Sequence, residues 1–203
     1  MALEQTISPV TDADGIALSQ TPGAAGNLTL AGALASGGTV TLTDAQHVTI
    51  TSAADETGRT FTVTGTDRYG DAQTEAITGA NAGEAEGSKN FKTITQIAVD
   101  AATTGAVTAG VNGNLESRWV SLDQTKPWRP ASIAVVNGTS TYGAQVTYAD
   151  TGGEAADSLD AFNHATVTNE TGSVDGTITA PVSAVRIDVT AFTSGTLKLY
   201  INQ

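Results

Sequence analysis

Two histidines are the side chains of this sequence best suited to acid–base chemistry, because an unperturbed imidazole titrates close to neutral pH. His164 lies near Ser158 and Asp160 in the sequence, and these three residue types form the catalytic triad of many hydrolases. A triad is defined by geometry, however, and the chain has no Gly-x-Ser-x-Gly motif to place a serine on a sharp turn. We therefore interpret His47 and His164 as loop or surface residues. A hydrolase is the least favoured hypothesis, and no catalytic residue is predicted.

Closely spaced carboxylates are the second group with chemical potential, since oxygen ligands bind Ca²⁺. Residues 12–15 (Asp-Ala-Asp-Gly) resemble the opening of a calcium-binding loop, but the glutamate that would close the loop is missing, because the twelfth position is Gly23. Such a run is also typical of a solvated turn. The sequence therefore predicts no metal site and no cofactor. Two further carboxylate pairs are interpreted as surface charge of exposed loops: Asp67 with Asp71, and Glu84 with Glu86.

One segment of this acidic chain is rich in aromatic and basic side chains. Tryptophan and arginine are favoured at protein interfaces, so these residues are predicted to contact an acidic surface of a partner. In an alternative interpretation, the tryptophans form the core and lid of a domain and the cations are solvated. In a third, the aromatic rings offer stacking faces to a carbohydrate. The candidate interface residues are Arg118, Trp119, Lys126, Trp128, Arg129 and Tyr142, and the stacking faces would be Trp119, Trp128 and Tyr142.

Short alternating runs must position these side chains, because helical periodicity is nearly absent. At 60–65, Phe61 and Val63 point to one face and the threonines point to the other, as a half-buried strand requires. The turn residues of 66–71 then predict a hairpin with a strand at 72–77. The fold class is therefore all-β, with two small antiparallel β-sandwich or barrel-like domains and an extended N-terminal arm.

Later runs continue the same pattern. Residues 91–99 and 106–110 are interpreted as a second strand pair, and 182–190 and 195–201 as the last two strands, with a turn at 193–195 between them. Both tryptophans and most of the prolines follow residue 112, and this change in composition predicts a domain boundary. The predicted organisation is an N-terminal arm or edge segment at 1–38, a first β domain at 39–112 and a second at 113–203.

Composition limits the classes of partner. The formal net charge of −12 opposes binding to nucleic acid or to anionic membranes, so other proteins are the expected partners. The absence of cysteine excludes disulfides and thiolate metal sites. The sequence begins without a basic and apolar leader, and no apolar stretch approaches the ~20 residues of a membrane-spanning helix. We therefore expect synthesis in the cytoplasm without cleavage or membrane insertion.

Several segments resemble parts of structural proteins of tailed bacteriophages. The resemblance implies a virion component, such as a head decoration protein, a neck or collar protein, or a fibre-attachment piece, and it implies no catalytic residues. The segments are FTVTGTDRYG (61–70), TEAI (74–77), NFKTITQI (90–97), YGAQVTY (142–148), FNH (162–164), VRIDVT (185–190) and TSGTLKLYINQ (193–203).

The leading hypothesis is a capsid-associated decoration or cement protein that binds the shell and braces subunit junctions as a homo-oligomer. Its expected partners are the major capsid protein or other virion proteins, and its expected location is the virion. The first alternative is a neck, collar or tail-fibre adaptor, which differs from a decoration protein in copy number. The second alternative is a carbohydrate-binding adhesion module.

Overall fold

The structure is a computed structural model that describes residues 2–123, 131–151 and 159–202. Every regular element in these ranges is a β-strand, and the strands pair antiparallel in four sheets. The predicted all-β fold class is confirmed. Within the described ranges, no helix is long and apolar enough to cross a membrane.

The chain divides into two compact units. Val10–Gly113 form the first, here called the continuous unit. Met1–Pro9 and Asn114–Gln203 together form the second, here called the split unit. The chain therefore leaves the split unit after residue 9 and returns to it at residue 114. The division after Gly113 lies one residue from the boundary that the change in composition predicted.

The continuous unit contains two sheets that enclose one apolar core. One sheet has the order β4-β5-β10-β7-β8, with β3 also paired to β10, and the other has the order β2-β11-β6-β9. Buried side chains of both sheets meet in one cluster, which includes Phe61, Phe91, Ile16 and Ile50, as in a β-sandwich. Its strands are β2 (Thr11–Gln20), β3 (Gly26–Asn27), β4 (Ala35–Ser36), β5 (Thr39–Gln46), β6 (Thr49–Ser52), β7 (Thr60–Thr66), β8 (Ala72–Thr78), β9 (Glu84–Glu86), β10 (Phe91–Val99) and β11 (Val107–Asn112).

The predicted hairpin at 60–77 is confirmed as β7 and β8. Phe61 and Val63 are fully buried, whereas the threonines of β7 are partly exposed. The turn between the strands is held by Asp67, whose carboxylate accepts hydrogen bonds from the backbone N–H groups of Tyr69 at 2.8 Å and Asp71 at 2.9 Å. Gly70 has a φ of 93°, which a glycine adopts without strain.

The split unit also has two sheets around one core. One sheet has the order β1-β19-β14-β17, and the other has the order β12-β18-β15-β16, with β13 also paired to β18. Ile7, Ile133, Tyr142, Ile187 and Leu197 lie in the shared apolar cluster. Its strands are β1 (Ala2–Ile7), β12 (Leu115–Glu116), β13 (Val120–Ser121), β14 (Ala131–Val136), β15 (Thr139–Thr147), β16 (Phe162–Asn163), β17 (Val174–Ile178), β18 (Ala184–Ser194) and β19 (Leu197–Asn202).

Residues 1–38 do not form a separate arm, contrary to that part of the prediction. Strand β1 pairs with β19 over six residues, and β2 pairs with β11 across two register shifts. Both strands lie at the edges of their sheets, as the edge-segment alternative describes. Strands β2 and β11 approach closely, since a Cβ at Gly110 would lie 2.0 Å from the backbone oxygen of Asp12.

One predicted pairing of neighbouring strands is wrong. Strand β10 has the predicted bounds of 91–99, but it pairs with β3, β5 and β7, whereas β11 lies in the other sheet. Strands β18 and β19 likewise belong to different sheets of the split unit. In both cases the chain moves from one layer of the sandwich to the other, because each layer needs a partner face to bury.

Candidate functional site

Residues 115–121, which include the predicted interface residues Arg118 and Trp119, run along the edge of β18. Leu115 pairs with Val189, and Val120 pairs with Val185. Between these pairs, Ser117 donates its backbone N–H to the carbonyl of Ile187 at 2.7 Å, and its Oγ accepts the Ile187 N–H at 2.9 Å. The serine side chain thus replaces a backbone acceptor where the two short strands are interrupted.

Trp119 lies in this interruption and covers the outer face of the sheet. Its ring stacks under the guanidinium of Arg186, with the guanidinium carbon 4.6 Å from the ring centroid. Both residues are buried, at 9% and 8% exposure, and Leu159 and Ala184 complete the cluster. A cation over an indole face is favourable when it is shielded from water, and a guanidinium loses less hydration than an ammonium. Trp119 therefore acts as a lid on Arg186.

A line of polar side chains extends from this stack across β15 and β18. Arg186 Nε donates to Gln145 Oε1 at 2.7 Å, and Gln145 Nε2 donates to Asp188 Oδ2 at 3.2 Å. Gln145 and Arg186 are direct partners in the β15–β18 register. The bond to Gln145 orients the guanidinium and satisfies its Nε in a site with little water.

Tyr142 lies on the opposite face of the same two strands. It is fully buried in the core of the split unit, and its hydroxyl donates to the carbonyl of Gly172 at 2.8 Å. Burial and, to a smaller extent, the nearby carboxylate of Glu170 together raise the pKa of the Tyr142 hydroxyl to about 12. Because side chains of a strand alternate between faces, Tyr142 and Trp119 do not share a surface.

The other predicted interface residues are only partly placed. Arg118 is exposed beside the buried Trp119. Lys126, Trp128 and Arg129 lie outside the described residues. Sequence reasoning missed Arg186, Gln145 and Asp188, because a polar residue within an alternating strand gives no sign of which partner it will meet.

His164 holds a turn. Its Nδ1 accepts hydrogen bonds from the backbone N–H groups of Val167 at 3.2 Å and Thr166 at 3.4 Å. A nitrogen that accepts these bonds carries no proton, so it cannot donate to a carboxylate as the orienting nitrogen of a triad histidine does. The proposed partner Asp160 is exposed, and Ser158 lies outside the described residues.

His47 joins three strands of the continuous unit. Its Nδ1 lies 2.8 Å from Glu86 Oε1 in β9, just before β6 begins. Asn112, at the end of β11, donates to Glu86 Oε2 at 2.9 Å and to Glu84 Oε1 at 3.2 Å. Glu84 and Glu86, predicted as loop charges, are thus placed in a short strand and hold the ends of β9 and β11 together.

The carboxylates of Asp12 and Glu56 also accept hydrogen bonds from the backbone of the chain. Asp14 donates its N–H to Asp12 Oδ1 at 3.4 Å within β2. Glu56, which sequence reasoning did not single out, is 1% exposed, and its Oε1 accepts from the N–H groups of Thr104 at 2.6 Å and Gly105 at 2.7 Å. Among the residues that the structure describes, no group of three or more acidic or histidine side chains is arranged to hold a metal ion.

An exposed aromatic pair lies at the β16 edge of the split unit. Tyr148 is 54% exposed and Phe162 is 52% exposed, and their rings pack edge to face with centroids 5.7 Å apart. Tyr148 follows the end of β15, and Phe162 lies in β16, which pairs with β15 at Val146 and Gln145. The alternation of β15 would have placed Tyr148 on the core side, but the strand ends one residue earlier.

Comparisons with protein-family models, with curated proteins and with solved structures found no match.

Proposed function

We propose that this chain is a non-enzymatic structural component of a tailed-phage particle, and specifically a decoration protein that binds the shell. The proposal starts from the seven segments that resemble phage structural proteins. It is supported by the chemistry of the described residues, since both imidazoles and the buried carboxylate of Glu56 bind groups of the chain itself.

The observation that carries the proposal is the Tyr148–Phe162 pair. Two large aromatic side chains that are half exposed and in contact offer a preformed apolar contact to another protein. The T-shaped packing already restricts both rings, so a partner that covers them loses little additional side-chain entropy. The acidic remainder of the chain keeps the bound protein soluble at high density.

The observed burial gives little support to a carbohydrate module built on the predicted rings. The face of Trp119 is occupied by Arg186, and Tyr142 lies inside the core. A sugar stacks on an aromatic face that water can reach. The most exposed aromatic side chains in the described part of the split unit are those of Tyr148 and Phe162.

The test uses particles of the encoding phage that lack this protein, to which purified chain is added back. Replacing Tyr148 or Phe162 by serine is expected to weaken binding about thirtyfold, the loss typical of a central interface residue. Tyr69→Ser is the matched control, because Tyr69 is a 45% exposed aromatic residue of the continuous unit. This substitution is expected to leave binding unchanged.

Copy number then separates the structural roles. A decoration protein saturates particles at a number close to that of the capsid subunits, whereas about a dozen copies would indicate a neck, collar or fibre adaptor. Failure of the wild-type chain to bind particles, or equal binding by all three variants, would overturn the assignment to the shell.

A further inference from the structure

Strand β1 completes the core of a unit to which it is not linked by adjacent sequence. It pairs with β19 at six positions, from Ala2 with Asn202 to Ile7 with Leu197. Ile7 is 1% exposed within the core of the split unit, and Leu3 packs partly against the same core. Along the chain, β1 reaches the rest of its unit only after the whole of the continuous unit.

The described side-chain contacts of β1 are made with the second part of the split unit. Gln5 lies 3.3 Å from the hydroxyl of Ser117, and in its better-satisfied orientation its amide also bonds the backbone of Arg118. Glu4 and Lys198 form an ion pair of 3.4 Å with both side chains roughly half exposed, so water screens it strongly. The described bonds of β1 thus join it to residues beyond 113.

The site beside β19 can therefore accept β1 from its own chain or from a second copy. A β1 from a second copy would make the same backbone pairs, bury the same Ile7 and form the same Gln5 contacts. When two arrangements have identical contacts, the connecting segment and the protein concentration decide between them. The connection from β1 to β2 is short, residues 8–10, and contains Pro9, and short hinges of this kind favour exchange between copies.

We propose that β1 is exchanged between copies, so that the split unit of one chain is completed by the first strand of another. The exchanged β1 binds the edge of β19 that it also occupies within one chain, together with Ser117. The partner is a second copy of this chain. The proposal goes beyond the role on a particle and does not depend on it, because every contact is made by the chain itself.

The test uses the absence of native cysteine. Two full-length variants with tags of different size, Thr6→Cys and Lys198→Cys, are refolded together and treated with a short bis-maleimide. Thr6 and Lys198 face each other across β1 and β19, and Thr6 is exposed. The mixed-size cross-linked product therefore forms efficiently only when β1 of one copy pairs with β19 of another.

The matched control replaces Thr6→Cys by Val136→Cys in the mixture. Val136 is the neighbour of Lys198 on the other side of β19, is 49% exposed, and belongs to the contiguous part of the split unit. We expect the Thr6 mixture to give at least about fivefold more mixed product than the Val136 mixture, with the excess rising with concentration. Equal yields in the two mixtures at every concentration would overturn the proposal.

A second variant keeps the proposal falsifiable if one cysteine disturbs refolding. Inserting Gly-Ser-Gly-Ser between Ser8 and Pro9 lengthens the hinge and makes closure within one chain easier. The insertion is expected to lower the mixed product severalfold, and an unchanged yield would contradict the role of the hinge in exchange. Failure to bind phage particles would leave both results unaffected, so the two proposals fail separately.

Discussion

The continuous unit and the split unit have the same two-sheet architecture, but they are built from differently arranged segments of the chain. Each packs two antiparallel sheets around one apolar cluster. The continuous unit draws all its strands from residues 10–113, and its ends meet, because Thr11 pairs with Asn112. The split unit contains β1, which is separated in the sequence from its other strands by the whole continuous unit. The contrast shows that burial of an apolar face selects a strand partner, and that proximity in the sequence does not.

The two units also differ in the kind of residue that is most sensitive to substitution. In the continuous unit, backbones approach so closely that glycine is required at several positions, including Gly65 and Gly110. In the split unit, polar side chains such as Arg186 and Tyr142 are buried with their own partners. Substitutions are therefore expected to damage the two units by different physical mechanisms.

The largest effect is expected from Gly65→Ala in the continuous unit. A Cβ at Gly65 would lie 1.9 Å from the backbone oxygen of Thr93, so β7 and β10 would have to separate. We expect the free energy of unfolding to fall by about 4 kcal/mol. Denaturant unfolding measures the loss, and amide exchange locates it in residues 10–113.

Gly58→Ala is the control for this change, because nothing lies within 4 Å of the position that its Cβ would occupy. It is expected to change stability by less than about 0.5 kcal/mol. Equal losses of stability in the two variants would contradict the close approach of β7 and β10 as the reason for the glycine at position 65.

The matching test in the split unit is Ile133→Ala. Ile133 is fully buried and lies in β14 between β17 and β19. The cavity is expected to lower the free energy of unfolding by about 3 kcal/mol, with faster amide exchange confined to the split unit. Val136→Ala in the same strand is the control, because Val136 is 49% exposed. Faster exchange throughout residues 10–113 would show that the two units unfold together.

Alkaline pH is expected to weaken the split unit selectively. The pKa of Tyr142 is raised from its ordinary value of 10 to about 12, chiefly by burial, so the neutral hydroxyl is favoured in the folded state. This contribution is complete below pH 10 and is lost as the pH rises through about 12. Tyr142→Phe should remove this part of the pH dependence and lower stability by about 1 kcal/mol at neutral pH, through loss of the bond to Gly172. An unchanged alkaline profile in that variant would contradict the assignment.

Acid pH is expected to produce the smallest effect, in the continuous unit. Hydrogen bonds from the Thr57 hydroxyl and then from its N–H hold the pKa of Asp55 below its ordinary value. The stabilisation is present above that ordinary pKa and is lost as the pH falls through the lowered one. Thr57→Ala should raise the pKa of Asp55, as measured by NMR titration. Thr43→Ala, at a threonine in the same unit, is expected to leave it unchanged.

Local features of the fold followed from the sequence more readily than pairings did. The alternation of Phe61 and Val63 predicted their burial, and turn residues predicted the β7–β8 hairpin. Alternation identifies the face on which a side chain lies, but it contains no information on which strand lies alongside. This is why β10 was paired with its neighbour in sequence, and why the pairing of β1 with β19 was not foreseen.

The candidate site was harder to predict for the same reason. The segment after residue 112 was correctly distinguished as unusual in composition, but Tyr142 and Trp119 lie on opposite faces of β15 and β18. Exposure of Tyr148 depends on where β15 ends, and strand ends are set by backbone pairing with β18. Composition alone does not determine that end point.

The pairing of β1 with β19 also sets an order of events during synthesis. A ribosome makes β1 near the start and β19 close to the end of this sequence, and between them it makes every strand of the continuous unit. The continuous unit can therefore close while the nascent chain is still growing, whereas the β19 of the same chain is not yet available to β1. During that interval its apolar Leu3 and Ile7 are uncovered, and chaperones that bind extended apolar segments would meet β1 before β19 does.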